Sequence, residues 1–119
     1  MPGHRDLVAW QLAMEMVREI YRVTRTFPRD ELYGLVSQLR RAAVSVPSNL
    51  AEGYGRNSPK ELHHYLGQAR GSLAEVETQI EIARDLGYVD TAAARELLAK
   101  IARVGRLLTG LRNWSETRS

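Results

Sequence analysis

The stretch "SPKELHHYLG" places Glu61, His63 and His64 side by side, and histidines next to a carboxylate raise the question of a metal. A helical metal pair takes its ligands from one face, at i and i+4, as in HExxH. Adjacent helical positions diverge by about 100°. The rings of His63 and His64 therefore do not converge on one ion. Di-iron carboxylate bundles need two Glu-x-x-His pairs. Glu61 and His64 supply that spacing once, and Glu61 has a competing role at a helix start. The chain has no cysteine, which removes thiolate metal sites, disulfides and cysteine nucleophiles together. It also fits a reducing compartment. No GxSxG, Walker loop or dinucleotide fingerprint is present, and "GYG" at Gly53–Gly55 is too short to cradle a phosphate. The expectation is no metal, no cofactor, no catalytic residue and no enzymatic activity.

The remaining chemistry belongs to cations. Seventeen Lys and Arg stand against fourteen Asp and Glu, a formal net charge of +3. The balance is uneven. Two arginines face five acids between Glu61 and Gly87, whereas six bases face three acids from Tyr88 onward. Arg40, Arg41, Arg56 and Lys60 fall around the segment that joins the second and third expected helices, and Tyr54 lies among them as a stacking ring. Lys100, Arg103 and Arg106 share a broad face of the last helix. Arginines that reach phosphates, with an aromatic ring for bases, form a candidate surface for RNA or DNA. The same residues also read as ordinary solvated helix faces. A second polar series, Arg41, Ser45, Asn49 and Glu52, recurs at i, i+4, i+8 and i+11. It reads first as a structural seam that fixes helix or subunit register, because buried polar groups persist where they are satisfied.

Four helices are expected to position these groups, over about 6–26, 31–55, 59–86 and 91–112. Asp6 and Asp30 are N-cap candidates for the first two, and Phe27-Pro28 ends the first. The first helix carries two apolar rows: Leu7, Trp10, Met14, Val17 and Tyr21, and Leu12, Met16, Ile20 and Val23. One row suffices for a monomeric bundle helix. The second, Leu12, Met16, Ile20 and Val23, is expected to face another subunit. In the second helix Leu32, Leu35, Leu39, Ala42, Val46 and Leu50 keep phase through Pro47. The reading is one long helix kinked at the proline, which removes an amide donor. Gly53, Gly55 and Asn57 then stop it. Ser58, Pro59 and Glu61 open the third helix as a capping box, and Gly67 and Gly71 offer a close backbone approach. Asp90 or Thr91 caps the fourth. No strand pattern appears. The fold class is all-α: one domain, an antiparallel up-down-up-down four-helix bundle with a Pro-kinked second helix.

The phrases "LVAWQLAMEMVREIY", "LYGLVSQLRRAAVSVPSNLAEGYGR" and "SPKELHHYLGQARGSLAEVETQI" cover most of the chain. They resemble the four-helix-bundle proteins of intervening sequences in bacterial large-subunit ribosomal RNA genes. The accessory variability proteins of diversity-generating retroelements are related to these. The resemblance implies a small bundle that assembles as a ring-like homopentamer. In the retroelement members it implies binding to nucleic acid and to a reverse transcriptase. Two functions are carried forward. One is a non-enzymatic oligomer that binds RNA or DNA through arginine-rich surfaces. The other is an interaction scaffold, or accessory subunit, that docks a partner protein without touching nucleic acid. "MPGHRDLVAWQ" lacks a secretory apolar core, and no run nears the roughly 18 apolar residues of a membrane span. The expected location is cytoplasmic, with no membrane partner.

Overall fold

The computed structural model describes residues 3–118. Among them there is helix and no strand: α1 (Val8–Thr24), α2 (Ser37–Gly55), α3 (Pro59–Asp85) and α4 (Thr91–Glu116). Short 3-10 turns at His4–Asp6 and Arg29–Glu31 precede α1 and the approach to α2. A π turn, Leu32–Val36, then leads into α2.

Local chemistry accounts for the starts. Ser58 Oγ accepts from the Glu61 amide, and Pro59 opens the first turn of α3. Asp90 Oδ1 accepts from the Ala93 amide at 2.8 Å and starts α4. The first two starts differ from expectation. Leu7 occupies the N-cap position of α1 without a side-chain bond, so Asp6 is not the cap. Glu31, not Asp30, serves the second helix. Its Oε1 accepts from the Leu35 amide and its Oε2 accepts from the Tyr88 hydroxyl at 2.9 Å. One carboxylate thus holds the entry to α2 and ties it to the segment before α4.

The chain does not turn at Pro47. α2 is continuous from Ser37 to Gly55, with Pro47 buried inside it. The departure from helical backbone comes earlier, at Gly34 (φ −109°, ψ −109°), within the π turn. Gly53 and Gly55 remain helical, and the positive φ falls on Asn57 (54°). α4 runs past Arg112 to Glu116 because Ser115 is buried and satisfied, donating to the Arg112 carbonyl at 2.8 Å.

Neighbouring helices meet in reversed residue order. Along α2 and α3, Gly53 meets Leu62 and Tyr65, Ser45 meets Ser72, and Gln38 meets Gln79. Along α3 and α4, His63 meets Ser115, Gly67 meets Arg112, and Leu73 meets Gly105. Lys100 of α4 closes back onto α1 through Glu15 and Glu19. One apolar core runs through the bundle, from Ala9 and Met16 through Leu39, Leu50, Leu66, Ile80 and Leu97 to Leu108.

The two rows of α1 exchange roles relative to expectation. Leu12, Met16 and Ile20 are buried in the chain's own core, and Val23 is half-buried against it. Ala9 and Ala13, also buried, widen that row into a full stripe. Trp10, Met14 and Val17 of the other row are half-buried, and Tyr21 is exposed. The assignment of Leu12, Met16, Ile20 and Val23 to a subunit interface is therefore corrected: the bundle itself covers them.

Close approach also falls elsewhere. A Cβ on Gly71 would meet open space, and one on Gly67 would meet only the Arg112 guanidinium at 3.5 Å. On Gly53 it would lie 3.0 Å from Tyr65 Cβ and 3.1 Å from Leu62 Cδ1. Gly53→Ala should lower stability by about 1–2 kcal/mol. Overpacking costs about 1–3 kcal/mol and helix propensity returns at most about 1. Chemical denaturation measures it, and an unchanged midpoint would show that α2 and α3 can part there without cost.

Candidate nucleic-acid interface

The bundle sorts the arginines and lysines into clamps and surface charges. Arg40 is a clamp. Its Nε donates to Thr24 Oγ1 at 2.9 Å, its Nη2 to the Tyr21 carbonyl at 3.3 Å, and its guanidinium lies 4.5 Å from the Tyr21 ring centre. It thereby satisfies the open carbonyl end of α1. Sequence proximity had grouped it with Arg56 and Lys60. Sixteen helical residues put Arg40 and Arg56 roughly 24 Å apart, at opposite ends of α2.

Arg56 is also engaged. Its Nε donates to Glu52 Oε2 at 3.0 Å, its Nη2 to the Tyr65 hydroxyl at 3.0 Å, and Glu61 lies 3.7 Å away. Tyr65 first, then Glu52, pushes its pKa above the usual guanidinium value. Tyr54 is half-buried against the core, and that desolvation raises its phenol pKa. It is not a free stacking platform. Lys60 is exposed in a shallow depression that also contains Glu61, Glu75, His63, His64 and Arg112.

Lys100, Arg103 and Arg106 do not act as one face. Lys100 Nζ donates to Glu19 Oε1 at 2.6 Å and to Glu15 Oε1 at 3.3 Å, turning toward α1. Arg106 lines the α3–α4 groove with Arg70 and Glu77. Arg103 is exposed. The hydrogen bond that Lys100 donates to Glu19, foremost, raises the Lys100 pKa. A folded pKa above the unfolded value, about 10.4, means that this contribution is complete below about pH 10 and is lost as pH rises through the folded value. Lys100→Ala should cost about 1–2 kcal/mol, since Glu15 and Glu19 then face each other without their cation. The gap in denaturation midpoint between Lys100→Ala and the parent chain should close above pH 10. A gap that persists there would remove the ion pairs as its cause.

The polar seam is partly realised. Asn49 Nδ2 donates to the Ser45 carbonyl (2.8 Å) and to Ser45 Oγ (2.9 Å), and Ser72 Oγ of α3 donates to Ser45 Oγ at 2.8 Å. Ser45 thus ties α2 to α3, and Asn49 braces it from within α2. Glu52 belongs to the Arg56 cluster, and Arg41 stands outside the seam, exposed.

The histidines also separate. His63 Nδ1 lies 3.2 Å from both the Arg112 carbonyl oxygen and Ser115 Oγ, whereas His64 is exposed with its ring edge toward Tyr65. Among the described residues no three His, Cys, Asp or Glu gather as a metal site.

A cationic region that the sequence reading did not single out lies where α1 ends and α2 begins. Two grooves adjoin there and share Leu32, Val36 and Arg40. One adds Thr24, Arg25, Phe27, Pro28 and Arg29; the other adds Tyr21, Tyr33, Ser37, Arg41 and Val44. Four arginines line the pair, and among the described residues no carboxylate does. The α3–α4 groove and the Lys60 depression both include glutamates. The π turn sets the second groove's rim: it carries Leu32 and Tyr33 outward and Val36 inward. A signal was present in the sequence. Arg18 and Arg22 of α1 and Arg25 at its C-cap recur at i, i+4 and i+7, and all three are exposed.

These features define a small all-α bundle protein whose surface chemistry rests on arginine. Residues 5–110 match the family described as 23S rRNA-intervening sequence protein, and the chain belongs to that family. No curated relative matches it. Among the described residues no helix is long and apolar enough to cross a membrane.

Proposed function

We propose that the chain is a non-enzymatic bundle protein that binds nucleic acid, RNA before DNA, through arginine surfaces, and that it works as an oligomer in the cytoplasm. One observation carries the reading: the paired grooves at the α1–α2 end hold Arg25, Arg29, Arg40 and Arg41 with no carboxylate among their described lining residues. Clustered cations with no carboxylate beside them create a positive local potential, and a polyphosphate backbone supplies anions in series. The family's description names 23S rRNA, which supports RNA as the first candidate over DNA. The resemblance to ring-forming relatives supports self-association, which would repeat each basic end around the assembly. Labelled single-stranded RNA, duplex RNA and single-stranded DNA titrated at two salt concentrations test the reading. Affinity should fall steeply with salt, and no binding at low salt ends it.

A second reading is an accessory scaffold that docks a protein. It is favoured by Ile82 (43% exposed) and Leu86 (56% exposed), which lie beside Glu81 and Asp85 at the end of α3. A stoichiometric protein partner retained during native purification, in a chain that binds no RNA, would replace the first reading.

A further inference from the structure

From the groove of about 540 Å³ between Tyr21, Tyr33, Arg41 and Val44 we infer that this site takes an unpaired, single-stranded stretch of RNA, with a base stacked on Tyr33 and its phosphates held by Arg41 and the arginines of the adjoining groove. The inference rests on the RNA reading above and names the strand form and the contact residue.

Tyr33 is 92% exposed, far more than the other large apolar side chains that remain uncovered. Isolated exposed aromatics are ordinary, but this one is not isolated. Leu32 (47%) and Val44 (39%) line the groove with it as exposed apolar side chains, and Tyr21 lines it as well. The two tyrosines differ in availability. Arg40 already lies against the Tyr21 ring and also grips the end of α1. The Tyr33 ring can be approached freely. The base-stacking role therefore falls on Tyr33, and Tyr21 with Arg40 forms a fixed wall.

Charge then selects the occupant. Arg41 lines the same groove, and Arg25 and Arg29 line the one beside it. Arg18 of α1 and Arg25 at its C-cap lie three residues before and four after Tyr21, on the same helical face. A free aromatic ring with cations spaced around it is the arrangement that binds single strands: bases stack on the ring and phosphates follow the charges. A duplex keeps its bases paired and stacked, so it can use the arginines but not Tyr33. A second copy docked by two-fold symmetry would bring these arginines against themselves.

The test uses the full-length chain, a labelled 15-nucleotide oligouridylate and an RNA duplex of equal length. The single strand should bind more tightly than the duplex. Tyr33→Ala should lower oligouridylate affinity about tenfold and leave duplex affinity unchanged. Tyr33→Phe, which keeps the ring, should bind as the parent does. Equal binding of both RNAs, with no effect of Tyr33→Ala on either, overturns the single-strand inference while leaving the RNA reading intact. No binding of either RNA at low salt overturns both. Light-scattering mass is measured alongside. A fall in mass on Tyr33→Ala assigns the groove to a second copy of the chain and overturns the inference.

Discussion

Met16→Glu should leave the chain largely unfolded at room temperature, with no smaller helical species in solution. Met16 is fully buried, and its row neighbours Leu12 and Ile20 are buried with it. A carboxylate there must either stay charged without a partner or bind a proton and remain an unsatisfied polar group. In both cases it also removes a well-packed thioether. Such a substitution costs at least about 4–5 kcal/mol, close to the whole stability of a marginal domain, about 5–15 kcal/mol. Circular dichroism should show lost helicity, and light scattering should show aggregate or unfolded monomer. Val23→Glu, at a half-buried position, should be far milder. A helical Met16→Glu protein of reduced mass would return this row to a subunit interface, against the burial seen here.

The exchange of rows on α1 shows where the sequence was legible and where it was not. Period and phase were plain: both rows have helical spacing. Which one faces inward depends on which face the other three helices occupy. The deciding residues are Ala9 and Ala13, whose small side chains look neutral in a pattern but are buried in the core. Caps supplied by a neighbouring residue were readable, as Ser58 and Asp90 show. Glu31 was not, because half its role is a hydrogen bond to Tyr88, 57 positions away. The arginines follow the same rule. Nothing near Arg40 or Lys100 in the sequence shows that one grips the end of α1 and the other bridges two glutamates of α1. The segment charge counts began at Glu61 and so passed over the basic cluster at the α1–α2 end, whose members are Arg25 at the C-cap of α1, Arg29 in the 3-10 turn and Arg40 and Arg41 of α2.

That cluster yields the second large effect. The combined substitution Arg25→Ala, Arg29→Ala and Arg41→Ala should weaken RNA binding by about a hundredfold at low salt and flatten its salt dependence. Each phosphate contact on a single strand contributes about 0.7 to the slope of log K against log salt. Losing three should therefore reduce the slope by about 2. The three side chains are exposed, so the fold should tolerate their removal, each within about 0.5 kcal/mol. Arg40 is left in place, because removing it would also free Thr24 and the Tyr21 carbonyl. Arg103→Ala with Arg106→Ala is the matched control. Arg106 shares its groove with Glu77, so the pair should alter the slope by less than half as much. If the control flattens the slope while the triple variant does not, the RNA surface lies on α4. The charge asymmetry of the paired grooves would then have a different cause.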